Sequence, residues 1–323
     1  MTKPAQPQSV AADGTEHKHL PVLLVETIQA LSISKKDGAY VDATFGRGGH
    51  CRAMLAELSD RGRVIALDRD PQAIAVAENL RIVEPRLQVF QARFAELDTV
   101  VASLGLTGAI QGVLMDVGVS SPQLDDPDRG FSFRHAGPLD MRMDPSQGVD
   151  AAQWLNSADE EVIANIIWRY GEERRSRRIA KAIVAARPLH TTEALAEVVA
   201  ACVPRGNTKS AKHPATKTFQ AVRIFINDEL QELQRGVQAA FESLAVGGRL
   251  AVISFHSLED RQVKQAFKAL SQPPVLPRRL PVQNSQTVAP GRLVSGPIRA
   301  GQSELDTNPR ARSATLRVIE RVA

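Results

Sequence analysis

Cysteine is nearly absent: Cys51 and Cys202 are the only two in 323 residues, and they show no CxxC spacing. That excludes a disulfide framework and a zinc ribbon, so a cytoplasmic protein with no bound metal is expected. Aromatic side chains are scarce too, at 4%, so each Phe, Trp or Tyr beside a candidate site carries weight. No apolar run approaches the ~20 residues a membrane helix needs, and no membrane contact is expected. Met1 to Thr15 offers Pro, Gln, Ala and Ser but no apolar signal core; residues 1–16 read as a disordered leader.

What is present is an ordinary globular composition, 43% hydrophobic and 24% charged, long enough to bury a large α/β core. The net charge of +4 says little, but its distribution says more. Asp125 to Glu161 holds nine acids and three bases, whereas Val162 to Arg223 holds twelve bases and four acids. Ser271 to Ala323 adds eight bases against three acids. Two basic tracts point to a polyanion partner, with solvated helix faces as the plain alternative.

Strands are expected at Ala39–Ala43, Arg63–Asp68, Leu87–Gln91, Gln111–Asp116, Arg249–Phe255 and Ala314–Ile319. Helical patterns between the early ones imply βαβ units and a parallel sheet. After Asp116 the alternation stops, and 159–170, 172–186 and 192–202 read as helices. The expected organisation is therefore a discontinuous α/β domain, 17–124 and 215–323, carrying a helical insertion at 125–214. Val222, Ile226, Leu230, Leu233, Val237, Phe241 and Leu244 predict one long helix. Pro, Gln and Gly across 271–309 predict a flexible loop.

Three constellations carry chemistry. Asp42-Ala-Thr-Phe-Gly-Arg-Gly-Gly-His50 joins the first strand to its helix, where glycine lets the backbone approach a ligand and the helix N-terminus favours an anion. Asp68 ends the next strand, where a carboxylate can accept ribose hydroxyls. Asp116-Val-Gly-Val-Ser-Ser-Pro-Gln123 follows the fourth strand, beside the same crevice. A nucleoside cofactor follows, with NAD and S-adenosylmethionine both open, although no GxGxxG run is present. An acceptor at Asp116 would hold an exocyclic amine in a reactive geometry.

The same motifs, with Arg129-Gly-Phe-Ser-Phe133, Gly137-Pro-Leu-Asp-Met-Arg-Met143, Tyr170-Gly-Glu-Glu-Arg174, His213-Pro-Ala-Thr-Lys217, Ser254-Phe-His-Ser-Leu-Glu-Asp260 and Asn308-Pro-Arg-Ala-Arg312, resemble one family in order from His17 to Arg321. It is the RsmH (MraW) family of bacterial 16S rRNA (cytosine-N4)-methyltransferases. The resemblance implies a class I, Rossmann-like S-adenosylmethionine-dependent methyltransferase domain with an inserted helical domain. Its implied target is N4 of a cytidine in the decoding, P-site region of 16S rRNA in the small ribosomal subunit. Gly48, Gly49 and His50 would line the cofactor site, Asp68 would hold the ribose, and Phe94 would lie near the adenine. Asp116 and Gln123 would complete the pocket, with Asp116 positioning the target amine.

The chain departs from the Asp/Asn-Pro-Pro-aromatic segment of many amino-methyltransferases, whose ring stacks on a flipped base. Asp116 to Gln123 has no aromatic, so Phe131, Phe133 and Phe255 become the candidates for stacking, with core packing as the alternative. Arg174, Arg178, Lys209 and Lys212 are candidates for RNA phosphate contact, and His256 for substrate contact, against a structural role for each. His17 and His19 lack a wider ligand cluster. A homodimer is left open. The competing readings are an NAD-dependent oxidoreductase and a non-catalytic RNA-binding factor.

Overall fold

The computed structural model describes residues 21–203, 213–273 and 288–323. Seven strands, β1 (Ala39–Asp42), β2 (Arg63–Asp68), β3 (Leu87–Gln91), β4 (Ile110–Asp116), β5 (Leu244–Ser254), β6 (Gly291–Leu293) and β7 (Thr315–Arg321), form one sheet in the order β3-β2-β1-β4-β5-β7-β6. The first five run parallel to one another, and β7 runs antiparallel between β5 and β6. The order reverses between β1 and β4, so their carboxyl ends open a crevice.

The helices are α1 (Leu24–Leu31), α2 (Gly49–Glu57), α3 (Pro71–Val83), α4 (Leu97–Ser103), α5 (Ser121–Asp125), α6 (Ala151–Ser157), α7 (Glu160–Gly171), α8 (Ser176–Ala185), α9 (Thr192–Cys202), α10 (Thr216–Ile226), α11 (Glu229–Ser243), α12 (Ser257–Leu270) and α13 (Gln302–Thr307). None is long and apolar enough to cross a membrane. Side chains of β2 divide between the two faces: Val64 and Ala66 join the core under α1 and α2, Ile65 and Leu67 the core under α4 and α11. Burial on both faces is why these strands read as continuous apolar runs.

A third core gathers Leu155, Ile163, Ile179, Leu195, Phe219 and Val222, among others, from α6 to α10. The expected boundary at 214/215 falls inside it, because α10 packs on α7. The single helix expected through Val222–Leu244 is two. Asp228 adopts the left-handed conformation (φ 52°) between α10 and α11, which turns the chain while leaving the apolar spacing intact. Neighbouring Asn227, 1% exposed, uses this break to join the helical core to the sheet. Its side chain accepts from the Met143 N–H (2.8 Å) and donates to the Met141 carbonyl (2.7 Å), while its own carbonyl accepts from Arg69 (2.9 Å).

The flexible loop expected at 271–309 is also corrected over its described part. β6 pairs with β7, Ile298 bridges Leu316, and α13 places Glu304 to accept the Leu23 N–H at 2.8 Å. This order comes from partners remote in sequence, which local composition does not report. The expected leader, His17, His19, Lys209 and Lys212 lie outside the described residues.

Candidate functional site

A cavity of about 890 Å³ opens at the carboxyl ends of β1, β2 and β4. Parallel strands bring Asp42, Asp68 and Asp116 to the same edge, because each is the last residue of its strand. The Asp68 carboxylate accepts the Gly46 N–H (2.8 Å) and the Asp70 N–H (2.9 Å), which fixes its plane at the crevice wall. Burial pushes its pKa up to about 6, against those two hydrogen bonds.

Asp42 and Asp116 are less well served. Oδ1 of Asp42 accepts the Thr44 N–H, while its Oδ2 is buried without a partner. Asp116 Oδ1 is likewise buried and unpartnered, and the Asp116 N–H donates to Thr44 Oγ1 at 2.7 Å. Burial raises Asp42 to about 7, helped by the Asp68 charge, and Asp116 to about 8, helped by Asp42 and Glu259. His50, 6% exposed, is held near pKa 4 by burial and is therefore neutral. Its Nε2 lies 3.0 Å from the Val22 carbonyl, an acceptor only, so Nε2 carries the proton. That leaves the lone pair on Nδ1, 3.9 Å from Asp116 Oδ2.

The other expected site residues separate into two groups. Gly49, His50, Asp68, Phe94, Asp116 and Gln123 all line the cavity. Gly48 does not: it caps α2 at φ 73°, and a Cβ there would lie 2.6 Å from the Phe45 ring. Gln123 lines the wall with its amide already engaged, donating to Asp70 (2.7 Å) and accepting the Ser120 N–H (2.9 Å). Arg129, 6% exposed, donates to the same Asp70 oxygen at 2.8 Å and to the Met143 carbonyl at 2.9 Å.

Of the aromatic candidates, Phe255 lines the cavity, whereas Phe131 is in the helical core and Phe133 packs on Phe219 and His213. His256 caps α12 and reaches 3.0 Å from Glu259 Oε1. Arg174 and Arg178 are exposed, outside the cavity lining.

Glu259 and the Arg223–Glu229 pair also line the wall, although no sequence motif singles them out. Glu259, 2% exposed, accepts the Phe255 N–H (2.8 Å) and the His256 N–H (3.2 Å). Burial raises its pKa, but its contact with His256 and the charge of Arg223 outweigh that and hold it below the usual carboxylate range. Arg223 in turn forks onto both oxygens of Glu229, at 2.7 and 2.8 Å. The signal for Glu259 was a carboxylate in the first turn after a crevice strand. Glu229, His256 and Glu259 bring ligand atoms within 4.8 Å of one another. Both Glu229 oxygens already accept from the Arg223 guanidinium.

This sheet order, with its reversed β7 and carboxylates around a nucleoside-sized crevice, defines a class I methyltransferase. The chain belongs to the MraW methylase family, whose model matches residues 16–322. It is 52% identical over 308 residues to "Ribosomal RNA small subunit methyltransferase H" of Xanthomonas euvesicatoria pv. vesicatoria (strain 85-10), covering 94% of this chain and 89% of the relative. The protein of the same name from Stenotrophomonas maltophilia (strain K279a) is 52% identical over 306 residues, covering 94% and 93%. Among solved structures, an rRNA methylase from Streptococcus thermophilus is a distant likeness, with 12% identity and a TM-score of 0.39 over 93% of this chain and 94% of that one.

Proposed function

We propose that this protein transfers a methyl group from S-adenosylmethionine to the N4 amine of a cytidine in the decoding region of 16S rRNA. The observation that carries the reading is the set of carboxyls lining the crevice, Asp68 and Asp116 among them, of which Asp116 keeps a buried oxygen without a partner. Such carboxyls fit a cofactor that is both cationic and rich in hydroxyl donors. When bound, S-adenosylmethionine supplies an electrophilic methyl on a sulfonium centre.

The chain's own residues do the rest. Asp68, fixed by two backbone N–H groups, accepts the ribose hydroxyls. Phe94 offers an apolar wall for the base of the cofactor. Asp116, with a free oxygen, accepts an N–H of the target amine and orients its lone pair, the step that matters most for a weakly nucleophilic nitrogen. Burial lifts the Asp116 pKa to about 8; the sulfonium charge of the bound cofactor would favour the carboxylate, and that ionised form can take the proton the amine loses. Neutral His50 keeps the Nδ1 lone pair toward Asp116 and adds no positive charge to the site. Gly48 shapes the turn, and Gln123 holds Asp70 in place.

The sheet core (described residues 21–124, 228–273 and 288–323) would be the catalytic unit and the helical core the RNA-reading unit, with Arg174 and Arg178, and by sequence Lys209 and Lys212, as phosphate contacts. A ribosomal substrate implies work in the cytoplasm. Calorimetric titration tests the cofactor assignment: S-adenosylmethionine should bind and NAD should not. Binding of NAD alone would overturn it in favour of an oxidoreductase.

A further inference from the structure

Trp168 is one of two tryptophans in the chain; Trp154 is in the helical core at 8% exposure, and Trp168 stands 58% exposed on α7. It belongs to a groove of about 730 Å³ between α7 and the first turns of α12. Arg169, Glu172 and Arg174 line one side, and Leu258 and Arg261 the other. Glu172 ties the two sides together, accepting from Ser257 and from Arg261, each at 3.1 Å. Among the described residues, Arg169 and Arg174 have no carboxylate partner. The groove also adjoins the crevice: Leu258 faces it, while the next residue, Glu259, lines the methyl-transfer cavity.

We infer that this groove binds single-stranded RNA next to the target nucleotide, with a base stacked on Trp168 and phosphates on Arg169, Arg174 and Arg261. An exposed indole beside Leu258 and ringed by guanidinium groups is the chemistry of a base-stacking platform. An acidic protein segment would use the arginines but would give the indole no planar partner. A flanking base held here would draw the target nucleotide toward the crevice, whose own catalytic segment has no aromatic. The inference rests on the RNA-methylating reading, but its test does not require turnover.

The probe is a labelled single-stranded oligoribonucleotide of about ten pyrimidines, followed by anisotropy and by intrinsic tryptophan fluorescence. Binding should quench the exposed tryptophan of the wild-type protein. Trp168→Ala should weaken binding on the order of tenfold, and Trp168→Phe should recover most of the loss. Arg261→Gln should flatten the log–log salt dependence by about one. S-adenosylmethionine affinity should be unchanged in all three, which separates loss of the groove from misfolding. Wild-type affinity in Trp168→Ala, or polyglutamate displacing the oligonucleotide at matched charge without quenching, would overturn the inference. If the oligonucleotide behaves as expected but no RNA is methylated, the groove stands and the methylation reading falls.

Discussion

Asp116 has one carboxyl oxygen buried without a partner and the other facing a neutral imidazole, so the protein offers it nothing that stabilises a negative charge. Its raised pKa, with those of Asp42 and Asp68, therefore makes stability depend on pH. Between the unfolded carboxylate value near 4 and the folded values of about 6 to 8, the native state binds more protons than the unfolded chain. Stability is then highest at the acid side of that window and falls as pH rises through it. His50 has the opposite sign, its folded pKa of about 4 lying below the unfolded ~6.5, but it is neutral in both states above that value. Urea unfolding of the cofactor-free protein should thus show stability falling from about pH 6.5 to about pH 9, and Asp116→Asn should reduce the slope. A flat profile in both proteins would contradict the burial argument. A sulfonium cation favours the ionised carboxyls, so cofactor affinity should rise across the same window. Asp68→Ala removes the ribose acceptor and should weaken S-adenosylmethionine binding on the order of 10- to 100-fold by calorimetry; unchanged affinity would mean the ribose sits elsewhere.

At the level of elements, the break between α10 and α11 does more than turn the chain. The Asn227 side chain satisfies a buried N–H and a buried carbonyl on the 141–143 segment of the helical core, which fixes the turn whose carbonyl accepts from Arg69 on the sheet side. Asn227→Ala leaves both groups without partners and should cost about 2–3 kcal/mol in chemical denaturation; a loss below ~0.5 kcal/mol would show that the joint is dispensable. Periodicity did not reveal this break, because a single left-handed residue restores the apolar phase on the far side. The strands β2 and β3 were legible to the residue, since apolar runs bounded by turns are local signals. β6, at three residues, is hidden because its order comes from β7 and α12, which meet it only in the folded chain. Asp68 and Asp116 were legible as strand-end carboxylates. Glu259 was not singled out, because its importance depends on Arg223 and His256 arriving from distant elements. The motif predicts Gly48 in the lining, whereas its left-handed φ serves the turn beneath.

Across the whole molecule, charge and architecture divide the work. The sheet edge supplies a carboxyl-lined crevice, and the helical core beside it carries most of the surplus arginine and lysine between Val162 and Arg223. Arg129, through Asp70, and the Asn227 carbonyl, through Arg69, fasten the two where the crevice wall meets the helical core. The central claim is that this assembly methylates a cytidine amine on small-subunit rRNA. The most direct measurement incubates the protein with labelled S-adenosylmethionine and small ribosomal subunits lacking the modification, then separates the nucleosides. The account predicts label in N4-methylated cytidine and its loss in Asp116→Ala; label in another nucleoside, or full activity in that variant, would contradict it.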